Sequence, residues 1–144
     1  YLLYLSSATF PYSPETIDEI LGKSRKNNQS RGVSGLLLYV DGNILQYLEG
    51  EKEVVRSLYH KIQLDDRHTG HMILLEGEAD QRYFEDWSMG FRKMDSKEWE
   101  QIHQSLFRDD ESDVDSSPAK HHTLSFIRNY VNRHKDYLPS IPKQ

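Results

Sequence analysis

Hydrophobic and polar positions along the first 92 residues switch between a period of two and a period of about 3.6, and each switch predicts a new element. Residues 1–7 begin apolar on both faces, Leu2, Tyr4 and Ser6 against Leu3, Leu5 and Ser7, which predicts a central strand. Ser13-Pro14-Glu15 predicts a helix start, with Ser13 as N-cap, Pro14 at the first helical position and Glu15 at the positive end of the dipole. That helix runs to about Asn28 on a stripe of Ile17, Ile20 and Leu21 that turns polar at Ser24, Asn27 and Asn28. Such a stripe either ends its helix or faces something polar.

Residues 33–40 predict a second strand, and Asp41-Gly42, or Gly42-Asn43 in the alternative frame, a hairpin into a third over residues 42–50. There Ile44, Gln46 and Leu48 share one face and Leu45, Tyr47 and Glu49 the other. Most strand glutamines are half-exposed, so Gln46 alone establishes no site. If buried between its aliphatic neighbours it needs polar partners, since each unsatisfied group costs roughly 1–3 kcal/mol. Glu51–Gln63 predicts a second helix with Val54, Val55, Leu58, Tyr59 and Ile62 inward, followed by a polar loop to His68 and a fourth strand from about His71 to Glu78. After a turn region, Ala79–Asp86, a short strand Trp87–Arg92 puts Trp87, Met89 and Phe91 on one face, a pattern that core packing alone explains. A helix from Ser96, read as its N-cap, to about Phe107, an acidic low-hydrophobicity stretch over 109–115, and a last helix from about Ala119 to His134 complete the chain.

The order β-α-β-β-α-β plus a fifth strand predicts an α+β, ferredoxin-like fold: an antiparallel sheet with two helices on one face and the C-terminal helices on the open face or on a partner. That fold hosts many functions and selects none.

Composition narrows the classes. The 144 residues suit one domain with a short appendage. The chain has no cysteine, which excludes disulfides and thiolate chemistry, and a net charge of −5, which argues against nucleic acid. The pairs His68/His71 and His121/His122 lack further ligands at a recognisable spacing, so no metal site is expected. No apolar run approaches the ~20 residues needed to span a bilayer and no signal peptide is evident, so a cytoplasmic protein away from membranes is expected.

In a ferredoxin-like sheet the first and third strands are central neighbours, so Tyr4 and Gln46 lie side by side, with the helix of Asn28 above them and Trp87 or Met89 brought to the edge by the fifth strand. A cleft between the helices lined in this way suits a flat heteroaromatic ring with edge carbonyls and ring nitrogens. Tyr4, Lys26-Asn27-Asn28, Val33-Ser34-Gly35-Leu36-Leu37, Gln46-Tyr47-Leu48-Glu49-Gly50, Asp65-Asp66-Arg67-His68 and Phe84-Glu85-Asp86-Trp87-Ser88-Met89 together closely resemble the BLUF family of blue-light sensors using flavin, over roughly residues 1–94.

The resemblance implies a non-covalent flavin, FAD, with FMN or riboflavin as alternatives. It implies that Asn28, with Asn27 beside it, meets the ring edge, and that Lys61, Asp65, Arg67 and His68 hold the ring or the cofactor's side chain. Tyr4 would be the electron and proton donor, Gln46 the amide bridging Tyr4 to the flavin, and Met89 and Trp87 the coupling to the last strand. Rearranged Gln46 hydrogen bonds would give a red-shifted signalling state. Residues 1–94 would be the sensor and 95–144 a helical extension with an acidic loop near 109–118. No catalytic motif follows Met94, so a non-enzymatic, short-type receptor is expected, a homo-oligomer acting through an effector protein. A flavin-free interaction module is the alternative; an acyl-phosphate hydrolase is disfavoured, because the Ser6–Tyr12 loop offers neither glycine nor arginine for an anion.

Overall fold

Alternating residues build five strands, Leu2–Ala8 (β1), Ser34–Val40 (β2), Asn43–Glu49 (β3), His68–Glu76 (β4) and Gly90–Lys93 (β5), joined in one sheet of order β4-β1-β3-β2-β5. The helices are Pro14–Arg31 (α1), Lys52–Gln63 (α2) and Ser96–Leu106 (α3). The structure is a computed structural model, and it describes residues 1–106 together with 125, 127, 129 and 133. The acidic stretch 109–115 and most of the expected last helix lie outside the described residues.

The expected ferredoxin-like α+β arrangement is present, with one departure. β1 pairs antiparallel with β3 and β4, and β2 antiparallel with β3, but β5 runs parallel to β2, so the sheet is mixed. Connectivity explains the direction. β4 ends at Glu76 opposite Leu2, the same end of the sheet at which β2 begins. Residues 77–89 cross to the far edge at that end, and a strand starting there runs alongside β2.

Each face of the sheet has its own core. Leu3, Leu36, Leu38, Leu45 and Tyr47 pack with Phe84, Met94, Ile102 and Ile127 on one face; Leu2, Tyr4 and Leu48 pack with Leu21 of α1, Val55, Leu58 and Tyr59 of α2, and Met89 on the other. α3 thus covers, through Ile102, the face that α1 and α2 leave open.

Several expected boundaries move. α1 continues past Asn28 to Arg31 and stops at Gly32, whose φ of 66° is the left-handed conformation that ends helices. The hairpin uses Asp41-Gly42, with φ of 44° and 85°, the positive pair that a two-residue primed turn requires. β4 begins at His68, three residues before the expected start, because Thr69 and His68 pair with Ser7 and Ala8. α3 is capped by Asp95, not Ser96: Asp95 Oδ1 accepts from Glu98 N at 2.8 Å and Glu98 Oε2 from Asp95 N at 3.0 Å, a capping box one residue earlier than the sequence suggests.

Candidate functional site

Tyr4 and Gln46 are direct cross-strand partners of β1 and β3. Both side chains point toward α1 and α2, where each is at least 95% removed from solvent, at 1% and 5% exposure. Burial pushes the Tyr4 phenol well above its ordinary value, with the nearby Tyr59, Tyr12 and Asp65 adding to it, so the group stays protonated. Its hydroxyl donates to Gln46 Oε1. Gln46 Nε2 in turn donates to Met89 Sδ at 3.5 Å. A thioether accepts and cannot donate, so it takes the amide's NH₂ end and turns the oxygen to Tyr4. The result is a directional chain, Tyr4 to Gln46 to Met89.

α1 places the second amide. Leu21 and Asn28 are its buried residues, and Asn28 Nδ2 donates to Ser88 O at 2.7 Å. One turn earlier Arg25 Nε donates to Met89 O at 3.0 Å. Arg25 was not singled out from the sequence, although its i,i+3 spacing from Asn28 carries that signal.

The cleft between α1, α2 and the sheet encloses about 260 Å³ and is lined by Tyr4, Asn27, Asn28, Gln46, Lys61, Asp65, Arg67 and His68, all of the sequence-derived candidates except Met89 and Trp87. Met89 reaches the site as the partner of Gln46. Trp87 does not. The expectation that Trp87, Met89 and Phe91 share a strand face is corrected: β5 starts only at Gly90, so the alternation does not extend back through Ser88. Trp87 lies on the opposite core, stacked on Phe84 at 5.5 Å, while Met89 and Phe91 belong to the helix-side core. The cleft also gains Tyr12 and Tyr39, rings stacked at 5.3 Å. Tyr39 was legible from its alternation with Leu37; Tyr12, in the loop before α1, carried no such pattern.

At the rim Asp65 and Arg67 hold each other, with Asp65 Oδ2 at 2.5 Å from Arg67 Nη2. Hydrogen bonding to Arg67 holds the Asp65 carboxyl below its ordinary value. His68 is fixed by Ser6 Oγ and the carbonyl of Ile62, each at 2.9 Å, and touches His71 Nε2 at 3.2 Å. Among the described residues no group of three or more potential metal ligands occurs.

The family model described as BLUF, sensors of blue-light using FAD, matches residues 1–90. The chain belongs to the BLUF family. The photoactivated adenylate cyclase subunit beta of Euglena longa is 36% identical over 92 residues, 61% of this chain and 10% of that protein. The subunit alpha of Euglena gracilis is 37% identical over 83 residues, 58% of this chain and 8% of that one. The chain therefore spans about a tenth of the length of these relatives. Among solved structures, the dark state of the BLUF protein BlrB is 27% identical with a TM-score of 0.67, covering 90% of this chain and 94% of that one. The photo-activated state of BlsA is 27% identical with a TM-score of 0.69, covering 88% and 92%.

The BLUF cleft fits the family's flavin. Its walls are apolar residues of the sheet and both helices, while Gln46 and Asn28 bring amides to its floor and side, the donor and acceptor set that edge carbonyls and ring nitrogens need. Lys23, Arg31 and Lys61 also line the cleft and are the cations that would meet a cofactor's phosphates.

Proposed function

We propose that residues 1–94 are a flavin-holding blue-light sensor domain, in which Tyr4 and Gln46 form the photoactive relay, and that residues 95–144 are an extension passing its state to a partner protein. The observation that carries this reading is the buried chain from the Tyr4 hydroxyl through the Gln46 amide to Met89 Sδ. Bound in the cleft, a flavin supplies blue-light absorption and, once excited, an acceptor for one electron. Tyr4 would be the donor of that electron, and its hydroxyl proton would leave along the hydrogen bond to Gln46 Oε1. Burial and the absence of a charged neighbour in hydrogen-bond contact favour a coupled proton loss, since a phenol that loses an electron in an apolar site cannot keep both charge and proton cheaply. With Tyr4 again a neutral phenol, the lasting change would lie in the Gln46 side chain, whose donor and acceptor positions would be exchanged by rotation or by tautomerisation. In the rotated form its NH₂ would no longer face Met89, and in the tautomer the nitrogen there would carry one hydrogen in place of two.

In this reading Asn28 and Asn27 hold the ring edge, Lys61 meets the outward part of the cofactor, and the Asp65–Arg67 pair with His68 shapes the rim. Met89 and the strand after it carry the change to α3. The chain acts as a sensor without catalysis of its own, in the cytoplasm, as a homo-oligomer or with an effector protein; the names of its relatives supply an adenylate cyclase as one kind of effector. Among the described residues no helix is long and apolar enough to cross a membrane.

The test is the absorption spectrum of protein purified with its pigment, in darkness and under blue light. A flavin spectrum that shifts to the red and recovers in the dark supports the reading. A protein that stays colourless after incubation with FAD, FMN and riboflavin supports the interaction-module alternative instead.

A further inference from the structure

Residues 77–89 run from β4 at one edge of the sheet to β5 at the other without regular structure, and they carry Met89 to the relay. The segment starts on the face away from the relay, where Phe84 and Trp87 pack against Leu3, Leu36 and Tyr47, and finishes on the helix face with Met89. Its hydrogen bonds show what fixes it. Near its middle, the backbone N–H groups of Tyr83 and Phe84 donate to Glu49 Oε2 at 2.9 Å and Glu49 Oε1 at 2.7 Å. Further along, Gly35 N donates to Trp87 O at 3.0 Å, and Asn28 and Arg25 hold the carbonyls of Ser88 and Met89.

Glu49 is the group in this set that sequence alternation and the cleft leave unexplained. It is 3% exposed, at the end of the strand that carries Gln46, with its side chain on the opposite face. A buried carboxylate is costly unless hydrogen-bonded, and this one is. Besides the two backbone donors it accepts from Ser34 Oγ at 3.0 Å, and Ser34 Oγ accepts from Arg82 Nη1 at 3.0 Å, which brings a cation one bond away. Arg82 also donates to Gly32 O at 2.6 Å, closing the clasp on the end of α1. Three donors, two of them backbone N–H groups of the crossing segment, converge on one acceptor-only group.

We propose that Glu49 is a positioning residue of the light response: its carboxylate anchors the 82–89 segment so that Met89 Sδ meets Gln46, and so that a change at Gln46 moves the far end of an anchored segment. This rests on the relay reading above. A carboxylate is required because a glutamine amide in its place presents an NH₂ to at least one of two backbone N–H donors, whichever way it is turned. The anchor and the relay lie three residues apart on β3, one on each face, which links the two sides of the sheet through a single strand.

The test compares Glu49→Gln with the parent protein, both loaded with FAD. Light-minus-dark visible spectra read the relay, and light-minus-dark amide I infrared spectra read the backbone. The proposal predicts that the variant binds FAD, loses most of the amide I difference and shows a smaller red shift than the parent, because Met89 no longer orients Gln46. An amide I difference equal to the parent's would overturn it. Ser34→Ala removes one donor and leaves both backbone bonds, so it should keep the parent's amide I signal; a loss as deep as in E49Q would place the effect elsewhere and overturn the anchor. Should E49Q fail to fold, hydrogen exchange in the parent decides. Slow exchange of the Tyr83 and Phe84 amides in the dark and under light supports the anchor, and fast exchange at Tyr83 and Phe84 in the dark overturns it. A parent protein lacking any red shift defeats the relay reading alone, since the dark exchange of those two amides still tests the anchor.

Discussion

Tyr4 and Gln46 face each other across β1 and β3, and the phenol donates to the amide oxygen while the amide nitrogen donates to Met89 Sδ. This geometry gives the glutamine one favoured orientation before light arrives. A relay needs such a bias, because a switch between two equally populated orientations carries no signal.

Met89 is both acceptor and core residue, and the two roles separate by substitution. It is fully buried, at 0% exposure. Met89→Ala should therefore lower stability by about 2–5 kcal/mol, while Met89→Leu should cost less than about 1.5 kcal/mol by keeping the volume. Both remove the acceptor of Gln46 Nε2. Chemical denaturation gives the stabilities, and a Leu variant as unstable as the Ala variant would contradict the packing account.

Glycines of β2 and α1 should respond in opposite directions. A Cβ on Gly35 would sit 2.0 Å from the Tyr47 carbonyl oxygen, backbone against backbone, whereas one on Gly22 meets nothing within 4 Å. Gly35→Ala should destabilise by at least about 1–3 kcal/mol, or prevent folding. Gly22→Ala, in the interior of a regular helix, should stabilise by roughly 0.5–1 kcal/mol. Thermal melts of the two variants check both signs.

The Asp65–Arg67 pair sets a pH dependence. Arg67 lowers the Asp65 carboxyl below its ordinary value of 3.8, so the unfolded chain takes up this proton first as pH falls. The pair's contribution is then complete above that value and is lost as pH falls through the lowered one. Asp65→Asn should therefore be less stable than the parent at neutral pH, with the difference shrinking as the solution is taken below pH 3.8. Melting temperatures across that range check it; a gap that widens in acid would contradict the assignment.

The parts of the fold that were legible in the sequence are those where one periodicity holds across a whole element. Tyr4, Gln46 and the helix-side apolar stripes follow directly from alternation, and Asp41-Gly42 from the two positive φ values of its turn. The segment before β5 was misread because alternation was extended through residues that are not in a strand. Met89 and Trp87 are two residues apart yet lie on opposite sides of the sheet, and only the crossover from β4 explains it. The parallel direction of β5 has the same origin. The roles of Arg25 and Glu49 were not legible because their partners are backbone groups far away in sequence, at Met89 and at Tyr83 and Phe84; spacing puts Arg25 on the face of Asn28 and Glu49 on that of Tyr47 without naming those partners. In the cleft, the residue types were legible while their engagements were not: Asp65 and Arg67 hold each other, and His68 is tied to Ser6 and Ile62.

The central claim is that the Tyr4 hydroxyl drives the Gln46 rearrangement, and Tyr4→Phe with light-minus-dark absorption of the flavin-loaded protein tests it most directly. The substitution removes one oxygen from a ring that stays packed against Tyr59 at 5.1 Å, so flavin binding should persist. The account predicts a normal dark flavin spectrum and no reversible red shift under blue light. A red shift of the parent's size, forming and recovering in the variant, would contradict it.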